Sequence, residues 1–158
     1  MLNIFKKKNL TKNEFISSFL ADPNHQWITS NPKIKKAFEL LLNELKPKHI
    51  EFFTNNPTYF IPCEAKLSCA IGKTKDSHLI LVFPELMTLL KSASLYHGIA
   101  IMAHELGHIY YQHTENKTET LQAQIEADDF AFQMGFGEEL QEVLLDYDHS
   151  LDCRIRIS

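Results

Sequence analysis

Apolar residues recur along this chain at two spacings, and the change between them comes near residue 50. In SNPKIKKAFELLLNEL, Ile34, Phe38, Leu41, Leu42 and Leu45 repeat at the interval of one helix face. Ser30 or Asn31 can cap this helix, and Pro32 suits its first turn, where the missing N–H costs nothing. Lys46-Pro47 is expected to end it. Upstream, Thr11-Lys12-Asn13-Glu14 is a capping-box pattern ahead of FISSFL and predicts a short helix over about 12–21. From residue 50 to 83 the segments IEFF, TYFIPC, AKLSCAI and HLILVF are short, rich in β-branched and aromatic residues, and separated by the turn-formers TNNP and GKTKDS. They predict an antiparallel sheet of three or four strands that ends with residues 79–83. Helical spacing returns at Pro84, with helices over about 84–92, 95–113, 118–135 and 138–146. Strands followed by segregated helices make an α+β fold, a small antiparallel sheet beside a helical bundle. With no internal repeat or Pro/Gly-rich linker, residues 1–158 are expected to form a single domain, 1–49 as a helical arm and 50–158 as the core.

Charge and composition narrow the function. A net charge of -4 gives no general attraction for nucleic acid or an anionic membrane. The Lys6-Lys7-Lys8 run is too short for a basic block and reads as a solvated tail. In MLNIFKKKNL the charges follow a very short apolar stretch, the reverse of a secretory signal, and no apolar run approaches the length of a membrane span. Cys63, Cys69 and Cys153 include no C-x-x-C pair, which argues against a disulfide framework or a cysteine zinc cluster. A soluble, cytoplasmic protein is expected, of unknown oligomeric state. Motifs for Ser-His-Asp or Cys-His catalysis, phosphate-binding glycine loops and nucleic-acid recognition are absent from the sequence.

His104-Glu105-Leu106-Gly107-His108 is the pattern H-E-x-x-H, which a chain of this composition contains by chance about 3% of the time. Residues i and i+4 share a helix face, so both imidazoles can reach one Zn2+ ion. A glutamate directly after the first ligand sits where it can take a proton from zinc-bound water and return it to a leaving amine. On a helix over 95–113, His97, Ile101, His104, His108 and Tyr111 form one stripe, and Ile99, Met102, Leu106 and Ile109 another, giving one side for a cleft and one for the core. Gly107 costs about 1 kcal/mol of helix propensity, which makes sense if something approaches the backbone closely there. Tyr111 and His113 lie near the helix end, with solvation or substrate contact as their roles. The strand over 79–83 offers its backbone to an extended substrate. Trp27 is expected to anchor the arm, and Phe52, Phe53, Tyr59 and Phe60 to be core.

These residues, followed by IEADDFAFQMGF and a late LDCRI, resemble the gluzincin zinc metallopeptidases. Similarity is nearest to the HtpX and CAAX-prenyl-protease group and its soluble minigluzincin relatives, with the ImmA/IrrE group next. It covers about 65–157, roughly three fifths of the chain. The resemblance implies a soluble zinc metallopeptidase acting on peptide or protein substrates. His104 and His108 would be metal ligands, Glu105 the catalytic base and Asp128 the carboxylate orienting a ligand histidine, while Arg154 would match the family's late arginine. His149 lies one place from a family histidine and receives no role. The third-ligand glutamate of E-x-x-A-D falls at Gln124, a departure from the family. On a helical wheel Gln124 and Asp128 sit mid-face and Glu126 opposite. Three outcomes stay open: ligation by the Gln124 amide oxygen, by Asp128, or by Glu126 if the helix is irregular. An inactive or weakened relative serving as a binding or regulatory module is the alternative function. A metal-free helical interaction module follows if the motif is accidental.

Overall fold

Prolines and side-chain caps set the helix starts. Thr11 Oγ1 accepts from Glu14 N–H, and Glu14 Oε2 accepts from Thr11 N–H at 2.9 Å, closing the box that opens α1 (Lys12–Ala21). A 3-10 turn at Pro23–His25 leads to α2 (Gln26–Thr29), and Asn31 caps α3 (Pro32–Asn43). The computed structural model of the protein describes residues 10–64, 69–73, 76–116 and 118–147, with 69–73 and 147 described by backbone alone. Lys6-Lys7-Lys8, His149, Cys153 and Arg154 lie outside them.

IEFF is helical, contrary to its strand-like composition. Pro47 opens a new helix, α4 (Pro47–Asn55), in which His49, Ile50 and Phe53 are buried at helical spacing. Local β-propensity yields here to burial of that stripe. His49 is wholly buried, its ring 4.9 Å from Tyr110 and 4.8 Å from Phe130. Its Nδ1 accepts from Lys46 N–H at 3.3 Å. Burial foremost, then the charges of Lys48 and Lys46, lowers its pKa to about 4. Histidine in the unfolded chain protonates near 6.5, so between about 6.5 and about 4 the unfolded state holds more protons. The stability His49 contributes is therefore present above 6.5 and lost as pH falls through that window. Metal-free protein should show a lower denaturation midpoint in urea at pH 5 than at pH 7, and His49→Leu should flatten the difference. An unchanged slope would assign the loss to other groups.

Strands β1 (Thr58–Pro62), β2 (Cys69–Lys73) and β3 (His78–Val82) form one sheet in the order β1-β3-β2. The sheet is mixed, which corrects the antiparallel expectation: β2 pairs antiparallel with β3, but β1 pairs parallel with it, Phe60 opposite Ile80. Alternating burial of Thr58 and Phe60, and of His78, Ile80 and Val82, is the same for either direction, so patterning could not choose. Central β3 has both edges paired, so residues 79–83 cannot take up an added strand. The outer edge of β1 is engaged as well: Phe60 N–H donates to His25 Nε2 at 3.2 Å, and Phe60 O accepts from Trp27 Nε1–H at 3.0 Å. His25 Nδ1 meets Phe19 O at 2.8 Å, and burial lowers the pKa of this histidine, in keeping with the neutral ring these bonds require. Trp27 thus ties the arm to the sheet.

Helices α5 (Pro84–Lys91), α6 (Leu95–Tyr110), α7 (His113–Asn116), α8 (Thr120–Gln133) and α9 (Gly137–Tyr147) complete the fold. One hydrophobic cluster joins Phe38, Leu41 and Leu42 of α3 to Phe60, Ile80, Ile99, Met102 and Phe130. Within it α6 is central, contacting α3, α4, α5, α8 and α9.

Candidate metal centre

Ile99, Met102, Leu106 and Ile109 of α6 face the core and are at most 3% exposed, as the apolar stripe requires. The histidine side faces α8, which runs antiparallel to α6, so that His104 meets Asp128 and His108 meets Gln124. Gly107 marks the closest approach. A Cβ there would stand 2.8 Å from Phe130 Cβ and 2.9 Å from Ala127 Cα, so what approaches the glycine is the backbone of α8.

His104 Nε2 and His108 Nε2 are 3.0 Å apart, with the rings at 84°. His104 Nδ1–H donates to Asp128 Oδ1 at 2.7 Å, which leaves Nε2 as the lone-pair nitrogen. With a lone pair on each Nε2, a metal ion between the two nitrogens would turn their repulsion into attraction. Tetrahedral zinc at its usual bond lengths holds two nitrogens about 3.3 Å apart, so a few tenths of an ångström of opening would admit it. The Gln124 amide lies 3.4 Å from His108 Nε2, and a turn of its terminal group exchanges nitrogen for oxygen. Asp128 is hydrogen-bonded to His104, and Glu126 to His113 Nε2 and Gln122 Nε2, each at 2.8 Å. The Gln122 bond first, then His113, holds the Glu126 carboxyl below the usual carboxylate range. Among the described residues no group of three or more His, Cys, Asp or Glu converges on one metal position. Two imidazoles, with an amide that can turn its oxygen toward them, could hold zinc with a neutral third partner. Glu105 follows His104 on α6 and is half-buried.

His97 Nε2 lies 2.8 Å from Glu142 Oε2, away from the imidazole pair. Periodicity predicts a helix running to residue 113 with His113 near solvent, and the structure differs. The helix ends at Tyr110, Gln112 takes φ 55, and the reversal brings His113, 7% exposed, to 2.8 Å from His108 Nδ1. A left-handed glutamine costs about 1 kcal/mol, which the surrounding packing must offset. Helical periodicity contains no signal for such a turn, since i and i+5 lie on different faces of a continuous helix. A cavity of about 220 Å³ opens elsewhere, lined by Leu106, Phe15, Phe19, Phe53 and Phe60 on the apolar side of α6.

Residues 69–143 match the family model of peptidase family M48. The stretch is a little under half of the chain and includes β2, β3, both histidines of the motif, Gln124 and Asp128. This match supports a metallopeptidase in general, and peptide or protein as its substrate class. No curated protein and no solved structure matches the chain. Among the described residues no helix is long and apolar enough to cross a membrane.

Proposed function

We propose that the chain is a zinc metallopeptidase of the gluzincin kind, close to the minigluzincin, HtpX and CAAX-protease group, that hydrolyses peptide bonds in the cytoplasm. The convergence of His104 Nε2 and His108 Nε2, 3.0 Å apart and backed by Asp128, carries this reading, together with the M48 match over the same residues. His104, His108 and the Gln124 amide oxygen would hold the ion. Bound zinc supplies Lewis acidity toward water and the scissile carbonyl. Glu105, one residue from a ligand, would take the proton of the attacking water and return it to the leaving amine. Asp128 would keep the His104 proton on Nδ1, so that Nε2 stays a donor.

The neutral third partner favours a second reading, in which zinc is held weakly and the fold serves as a binding or regulatory module. Protein purified without chelator should contain zinc near one equivalent, and metal-free preparations would favour the second reading or a metal-free module. Gln124→Glu adds a charged oxygen donor and should tighten zinc about tenfold or more, roughly 1.4 kcal/mol, in a chelator competition. No gain would remove Gln124 from the ligand set.

A further inference from the structure

His104 has a carboxylate directly on its Nδ1, and His108 has one at the distance of a second imidazole. We infer that His113 and Glu126 are positioning residues for His108, holding its proton on Nδ1 and turning its Nε2 lone pair toward His104 and Gln124. The inference rests on the metallopeptidase reading in taking His108 as a zinc ligand.

The distances run in one line: Glu126 Oε2 to His113 Nε2 is 2.8 Å, His113 Nδ1 to His108 Nδ1 is 2.8 Å, and His108 Nε2 to His104 Nε2 is 3.0 Å. A carboxylate can only accept, so the His113 proton sits on Nε2. The neutral His113 ring then accepts at Nδ1, and His108 must donate from its own Nδ1, which frees Nε2. Gln122 Nε2–H donates to Glu126 Oε1 at 2.8 Å and fixes the far end of the line. Tyr111 stacks on His113 with ring centroids 5.8 Å apart at 20°, which fixes the middle. The left-handed backbone at Gln112 is what returns His113 to this position. α8 therefore serves both imidazoles: Asp128 directly, and Glu126 by way of α7.

Zinc affinity measured by chelator competition, with imidazole ¹⁵N NMR of the metal-free protein, tests the pair. His113→Phe retains an aromatic ring beside Tyr111 but no acceptor, and should weaken zinc binding about 10- to 100-fold. Glu126→Leu should lose a comparable amount. Glu126→Gln, whose amide oxygen still accepts, should recover much of it, which a loss of packing alone would not. In metal-free wild type His108 should carry its proton on Nδ1, and in His113→Phe that proton should spread over both nitrogens. Unchanged zinc affinity in folded His113→Phe or Glu126→Leu, or a wild-type His108 protonated on Nε2, overturns the inference. Should His113→Phe not fold, Glu126→Leu at its more exposed site decides. Wild type that binds no zinc would count against the metallopeptidase reading, and the NMR arm would still decide the role of the pair.

Discussion

Glu105→Gln should lower peptide hydrolysis by roughly 100- to 10,000-fold, the usual contribution of a positioned general base, while zinc content stays unchanged. The substitution preserves size and hydrogen-bonding reach but removes the group that accepts a proton. The nitrogens proposed to hold the ion belong to His104 and His108 and are untouched. Turnover of a mixed fluorogenic peptide library, read beside zinc content for wild type and variant, separates the two effects. Equal turnover in both proteins would assign the activity to a contaminant or to another residue. Loss of zinc together with activity would instead give Glu105 a structural part.

Gly107→Ala should lower stability even though alanine is the better helix former. Ordinary helix propensity would raise stability by about 1 kcal/mol. The added Cβ, however, would meet Phe130 Cβ at 2.8 Å and Ala127 Cα at 2.9 Å, and backbone cannot turn aside as a side chain can. Overpacking of this kind costs typically 1–3 kcal/mol and more where relaxation is blocked, so a net loss of about 2 kcal/mol is expected. In a chain of this length that is a fall in Tm of roughly 5 °C. Separating α6 from α8 would also move His104 from Asp128 and His108 from Gln124, so zinc should loosen in parallel. A variant with raised Tm and unaltered zinc affinity would show that the two helices do not touch at Gly107.

The helices were legible where capping and periodicity agreed. Thr11 with Glu14 marks the start of α1 as expected, and Pro32 and Pro84 stand at the first turns of α3 and α5. The α+β class was legible too, because strand-like and helical segments are segregated along the chain. IEFF is ambiguous because four residues are too few to distinguish a strand from one turn of a buried helix, and Pro47, expected to end a helix, begins one. The wheel set Gln124 and Asp128 on one face of α8 and turned Glu126 to water; Gln124 and Asp128 do meet His108 and His104, but Glu126 is not left to solvent. What Glu126 meets on its own side is His113.

Sequence alone determined the spacing of His104 and His108, the glutamate between them and the face shared by Gln124 and Asp128, since a helix converts intervals in the chain directly into directions in space. Tertiary structure decided the parallel pairing of β1, the fit of Gly107 against Ala127 and the return of His113 to His108. Strand direction, helix separation and the angle of a left-handed turn depend on atoms distant in sequence, and periodicity within one element contains no information about them.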